Sequence, residues 1–444
     1  MRTKASLISS LPNSGLKAFV NARLMDPASD LDVAGGLIVK DGKISDVAPG
    51  LFADGAPKGA EVIDCEGHLL APGLIDARAY LGEPGQEQKE TMATASQAAA
   101  AGGITTIAAM ASTDPCIDEV ALVQYITRRA RDTAIVNVVP TACVTRGRRG
   151  EEITEMGMLA EAGAVAFSDG HRAIGSPQVM RRALAYATGW DLLVIQHPEE
   201  PSMAASGAMN AGEMSTRLGI PGVPSIAEVM MVERDLRLVE MTGGRYHAAC
   251  ISTKASIDVI RQAKDKGLPV TCSAAAHHFA LNELAVGEYR TFTKVSPPLR
   301  SEEDRLAVVA GLADGAIDCI VSDHSPHDQE AKRLPFAQAA DGAIGLQTVL
   351  PLALELHHTK QVPLMRLLDA LTRAPAKMLG LSSGRLAAGA PADLVLINLD
   401  MPWRITESMF LSRSKNSAFE DRPAQGRAIR TIVAGETVFD LSET

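Results

Sequence analysis

Through the middle of the chain, short apolar runs alternate with Ala- and Leu-rich stretches of helical texture. Eight runs read as strands: GLIDARAYL (73–81), ITTIAAM (104–110), AIVNVVPTA (134–142), AVAFSD (164–169), LLVIQH (192–197), YHAACIS (246–252), PVTCSA (269–274) and CIVSDH (319–324). Between them fall TASQAAAA, VALVQYITRRARD, SPQVMRRALAYA and SEEDRLAVVAGLADG, which carry the helical pattern. Eight strand–helix units over about 250 residues predict an α/β chain folded as a (β/α)8 TIM-type barrel. A doubly wound open sheet is the structural alternative.

The flanks have a different texture. KAFVNARLMD, GGLIVKDGKISDVA and AEVIDCEGHLLA mix β-branched residues with Asp-Gly and Glu-Gly turn pairs, and ADLVLINLD and RAIRTIVAGETVFD repeat that texture at the other end. The expectation is a barrel over residues 71–380 and one small β-sandwich domain built from 1–70 and 381–444. Residues 198–225 show little periodicity and read as a long loop.

Composition narrows the function classes. The net charge is −10, so no basic footprint for nucleic acid or an anionic membrane is expected. The six cysteines are widely spaced and form no Cys-x-x-Cys, which reads as reduced, intracellular thiols. The start MRTKASLISSL lacks a sustained apolar core and does not read as a signal peptide. No run is long and apolar enough to span a membrane, and the expected location is the cytoplasm. There is no Gly-x-Ser-x-Gly elbow and no phosphate loop. RGRRGEE at 146–152 reads as a solvated charged loop, and the methionines at 203–214 read as gap fillers.

In a barrel of this kind the chemistry sits at the C-terminal ends of the strands. Those ends supply Arg78, Tyr80, Ser112, Asp169, His197, Cys250, His277, His278, Asp323, His324 and His327. Any one of them has a plain alternative, a strand-end hydrogen bond or a packed loop residue, but several converging ends suggest a shared pocket. A guanidinium stays protonated and is no metal ligand, so Arg78 opposes a dication at the first strand's end. No His-x-His pair occurs. Asp169, His197 and Cys250 together offer at most one zinc, against the alternative of a buried thiol and a hydrogen-bonded imidazole.

The stretches APGLIDARAYLGEPG, AAAAGGITTIAAM, AGAVAFSDG, HPEE (197–200), ISTKAS, TCSAAAHHFALNE, VSPPLRSEEDRLAVVAGLADGAIDCIVSDHSPH, LPFAQAADGAIGLQT and SKNSAF resemble dihydroorotase and the wider cyclic-amidohydrolase group along nearly the whole chain. The resemblance implies the barrel with a β-sandwich from both chain ends. It also marks departures. Active members read Pro-Gly-x-Ile-Asp-x-His-x-His-Leu-Arg-Glu-Pro-Gly on the first strand; here Arg78 and Tyr80 stand at the zinc histidines and Gly82 at the substrate arginine. Cys250 stands at a ligand histidine, and Ser112 and Ser296 at substrate-binding asparagines. His197, Asp323 as catalytic base, His327 as a substrate contact and Asp169 remain, and the Arg78 guanidinium is expected near the vacated metal position, paired with Asp323 and with Asp169 as a second candidate partner.

Three functions follow. The resemblance together with the lost ligands implies a noncatalytic dihydroorotase-like protein of pyrimidine biosynthesis, without resident cofactor, that acts as a structural partner of aspartate carbamoyltransferase in a homo- or hetero-oligomer. The second is an active dihydroorotase or related cyclic amidohydrolase with an atypical mononuclear zinc site at His197, Asp169 and Cys250. The third is a module that senses a small anion, with Arg78 as its cation.

Overall fold

The computed structural model describes residues 15–53 and 55–443. The expectation of no signal peptide, and the start of the flanking domain, fall on residues 1–14 and lie outside the described residues.

Seven parallel strands carry the barrel: Leu74–Ala79, Ile104–Ala109, Asn137–Pro140, Leu193–Gln196, Arg245–Ala248, Val270–Ala275 and Cys319–Val321. The first three pair in order, as do the last four. The expected fourth strand at 164–169 is reduced to one paired residue: Phe167 bridges Ala142 on one side and Val194 on the other. Its amide donates to Leu193 O at 2.9 Å and its carbonyl accepts from the Ile195 amide at 2.8 Å, while on the other side Ala166 O accepts from the Ala142 amide at 3.0 Å and the Ser168 amide donates to Ala142 O at 2.8 Å, so this short stretch carries the ladder across the gap. Ala79 bridges His324 and closes the ring, which excludes the open sheet.

The helices between the strands start where side chains satisfy their free amides. Ser176 caps Pro177–Thr188, with Pro in the first turn; Thr253 caps Lys254–Asp265; Ser301 caps Glu302–Asp314, which carries three acids in its first turn. The helix Met92–Ala101 buries seven of its ten residues, mostly alanines. Small side chains let it lie close against the barrel, and substitution of the following Gly102 would drive a Cβ to 2.1 Å from Leu346 O.

Residues 198–225 are more ordered than their weak periodicity predicts. They form short helices at Pro201–Ala204 and Glu213–Leu218 and a two-residue parallel pair, Met209–Asn210 with Gly222–Val223. Met209 and Met214 fill a small cluster with Ile220, Val286 and Phe336, as gap fillers do.

The flanks meet in one eight-stranded sheet. Lys17–Asp26 runs antiparallel to Leu31–Lys40 and parallel to Glu61–Asp64 and Leu69–Pro72. Leu69–Pro72 then pairs with Leu394–Arg404 from the far end of the chain, and Pro423–Val433 and Glu436–Asp440 follow. Phe19, Leu37, Leu70, Leu394 and Ile432 share one core within this unit. Each such buried side chain contributes about 1.5–3 kcal/mol. Among the described residues no helix is long and apolar enough to cross a membrane.

Candidate functional site

The first and last barrel strands set the centre of the site. Arg78 is the penultimate residue of the first strand and is 5% exposed; Asp323 follows the last and is 2% exposed. The Arg78 Nε donates to Asp323 Oδ1 at 2.8 Å, so the cation expected near a vacated metal position does pair with this carboxylate. Below them lies Asp76, whose carboxyl burial pushes up to about 6 and which accepts from the amides of Arg78 and Ser322 at 3.2 Å.

Cys250 sits in left-handed backbone, φ 56°, directly beyond the strand Arg245–Ala248. Burial, followed by the nearby Asp323 charge, pushes its thiol well above the ordinary range. It is a neutral thiol rather than a thiolate. Asp323, also left-handed at φ 47°, is held by the Arg78 guanidinium.

Asp169 does not join this group. Its Oδ1 accepts from the Val144 and Thr145 amides at 2.9 and 3.0 Å, and its Oδ2 takes the Thr145 hydroxyl. The expectation that it shares Arg78, or serves as a ligand facing the centre, is corrected: the carboxylate braces the loop after the third strand. The turn that follows needs Gly170, at φ 69°, because a Cβ there would stand 2.9 Å from the Ser112 Cβ.

The fifth strand places His197, 1% exposed, beside Ser296 and Glu199. Its Nε2 lies 3.1 Å from Ser296 Oγ, and that hydroxyl donates to Glu199 Oε2 at 3.1 Å. The oxygen therefore accepts, which assigns the proton to Nε2 and leaves Nδ1 as a buried lone pair without a partner among the described residues. Ser296 thus bridges two protein groups.

Three of the remaining expected residues line the mouth. Tyr80, Ser112 and His327 face a cavity of about 450 Å³. Burial pushes the Tyr80 phenol up to about 12. His327 Nε2 donates to Asp341 O at 2.8 Å, and burial lowers its imidazole to about 4. His277 and His278 are buried edge to face, 4.4 Å apart, with His278 donating to Pro297 O. His324 is more than a loop residue packed beside Asp323: it is fully buried, accepts from the Gly345 amide at Nδ1 and donates from Nε2 to Glu90 at 3.3 Å.

Three participants escaped the sequence reading. His171 Nδ1 lies 3.0 Å from the Arg78 NH2. Arginine only donates, so Nδ1 accepts and the His171 proton is on Nε2. Its crowded surroundings first, and the Arg78 charge second, hold that imidazole neutral. Arg148, expected in a solvated loop, donates from Nε to Asp169 O at 2.9 Å and lines the cavity with Lys89. Only the odd Ser168-Asp169-Gly170-His171 order hinted at the first of these.

These side chains do not suit the metal that the barrel's resemblance implies. Zinc takes neutral imidazoles, carboxylates or thiolates in sets of three or four. Here Asp323 is ion-paired, Asp169 is saturated by amides, Cys250 is a neutral thiol, and Arg78 occupies the centre. No group of three or more His, Cys, Asp or Glu residues among those described stands together as a metal would need.

Comparison with known proteins gives a consistent lineage. Residues 67–256 match the family model described as Dihydro-orotase-like, and residues 310–439 match the one described as Amidohydrolase family. The chain is 45% identical over 424 residues to a dihydroorotase of Wolbachia sp. subsp. Brugia malayi, covering 95% of each chain. It is 44% identical to that of Anaplasma phagocytophilum, again over 95% of each. In fold it is similar to L-hydantoinase (dihydropyrimidinase) from Arthrobacter aurescens, with a TM-score of 0.86, 24% identity and coverage of 97% and 96%.

Proposed function

Because the chain belongs to the dihydroorotase family, we propose that it serves pyrimidine biosynthesis in the cytoplasm as a noncatalytic member, a structural partner of aspartate carbamoyltransferase in a hetero-oligomer. The observation that carries the reading is the buried Arg78–Asp323 pair at 2.8 Å. Hydrolysis of an unactivated amide calls for a strong nucleophile, and metal-bound water with a pKa of about 7 is the usual source. A fixed guanidinium at the same centre opposes a dication and ties up the expected base. A lone carboxylate base contributes only about 10²–10⁴-fold. The barrel keeps its core without that chemistry, because activity resides in the site and not in the scaffold.

A second reading, an active dihydroorotase, is favoured by the names of relatives 42–45% identical to this chain. It requires Arg78 to leave Asp323 and a mononuclear site to assemble around His197 and Cys250. Metal analysis of protein purified without chelators, combined with co-purification of the carbamoyltransferase, separates the two. Sub-stoichiometric zinc with a stable complex is the expected result. Stoichiometric zinc in a protein that purifies alone would overturn the proposal.

A further inference from the structure

We propose that Cys116 and Cys143 form a peroxide-sensitive dithiol, a modification site at which Cys116 is oxidised first and Cys143 then closes a reversible disulfide onto it. The inference goes beyond the noncatalytic reading and does not depend on it, since it uses neither a metal nor hydrolysis.

The two residues sit in the loops that follow the second and third barrel strands, and the backbone ties these loops together around them. The Cys143 amide donates to Ile117 O at 2.8 Å, so the residue next to Cys116 lies against Cys143. Ala111 O accepts twice, from the Ile117 amide at 3.0 Å and from the Cys143 Sγ at 3.7 Å, which turns the Cys116 segment back over the Cys143 thiol. One residue further on, Asp118 Oδ2 accepts from the Gly147 amide at 2.8 Å. Neighbouring strands joined by such bonds run about 4.7–4.9 Å apart, inside the about 4.4–6.8 Å between Cα atoms that a disulfide spans. The Val144 and Thr145 amides, held by Asp169, fix the Cys143 side of the pair.

The two thiols differ in what reaches them. Cys143 is fully buried within the main core, whereas Cys116 is half-buried, packs on the outside of that core and lines the cavity of about 450 Å³ at the mouth. A small oxidant entering the cavity therefore meets Cys116 and not Cys143. Each thiol is the leading influence on the other: the Cys143 thiol holds Cys116 below the ordinary thiol range, and Cys116, followed by burial, holds Cys143 above it. Burial and the Asp118 and Asp169 charges oppose the Cys116 thiolate, while Arg148 favours it. The other four cysteines are buried and all pushed up, Cys65 and Cys272 to about 12. The thiolate is the nucleophile, so an accessible cysteine of lowered pKa beside a resolving one is the arrangement of a redox sensor. In a reducing compartment such bridges are transient and regulatory rather than structural.

The chemistry balances with hydrogen peroxide as the oxidant. The Cys116 thiolate attacks one peroxide oxygen, the O–O bond breaks, and hydroxide leaves with a proton as water. The Cys143 sulfur then attacks the Cys116 sulfenic acid. The S–S bond forms, the S–O bond breaks, and the Cys143 proton leaves with hydroxide as a second water. Two thiols lose two electrons and the peroxide gains them.

The test adds hydrogen peroxide to the reduced full-length protein and follows it by intact mass, thiol count and peptide mapping. The expected result is a loss of about 2 Da, consumption of two of the six thiols, a crosslinked peptide joining Cys116 to Cys143, and reversal by dithiothreitol. Cys116→Ser should slow thiol loss at least about tenfold. Cys143→Ala should stop at a Cys116 sulfenic acid, captured by dimedone as a mass gain without a crosslink. If Cys143→Ala misfolds, the wild-type map and Cys116→Ser still decide. Folded protein that forms no bridge, a bridge between other cysteines, or thiol loss as fast in Cys116→Ser as in wild type would overturn the site.

Discussion

Arg78 and Asp323 are each defined by the other. Removing one partner of a buried ion pair leaves an uncompensated charge, a loss of about 3–5 kcal/mol, whereas an apolar replacement of both is often neutral. Arg78→Ala should therefore destabilise by that amount in urea unfolding, and Arg78→Met with Asp323→Leu should recover most of it. A double variant as unstable as the single would remove the pair from its central place. His247 gives a pH signature of the barrel interior. It is 2% exposed and bonded to the Thr271 and Ser273 hydroxyls, and burial lowers it to about 3. The unfolded chain takes up this proton near pH 6.5, while the native state refuses it down to about pH 3. Stability is present above pH 6.5 and is lost as pH falls through that window, with a slope of about 1.4 kcal/mol per pH unit. His247→Gln should reduce the difference between unfolding midpoints at pH 7 and pH 4.5; an unchanged difference would show that His247 is protonated in the native state.

Elements differed in how much the sequence disclosed. The capped helices and seven of the eight barrel strands were legible because periodicity and Ser or Thr caps are local properties. The fourth strand is shorter than its sequence suggests: AVAFSD is apolar enough for a strand, yet only Phe167 bridges both neighbours, with Val165, Ala166 and Ser168 bonding to the third-strand side. Side-chain direction is what sequence hides. Asp169 stands at a strand end in register with a ligand position, but its oxygens face the amides of the neighbouring loop, and Arg148 crosses that loop toward the cavity. Asp169 should then behave as a brace. Asp169→Ala leaves two buried amides unsatisfied, at about 1–3 kcal/mol each. Unfolding in urea should show a loss of that size whether or not zinc is present; a loss seen only with zinc would restore Asp169 as a ligand.

At the scale of the molecule, a sheet built from both chain ends joins a barrel closed by the Ala79–His324 bridge. The barrel was legible because eight repeated units leave few topologies, and the lineage because its motifs run nearly the length of the chain. The site was legible only in part. Arg78 beside Asp323 followed from charge, whereas His171, Arg148 and the buried His324–Glu90 contact depend on three-dimensional approach across distant segments. The central claim is that this centre holds an ion pair in place of a hydrolytic metal. Its most direct test is turnover of dihydroorotate and N-carbamoyl-aspartate by the purified protein, with and without added zinc. The account predicts no turnover above the protein-free rate in either condition. Zinc-dependent turnover near about 1 s⁻¹, the low end of typical enzymes, would contradict it.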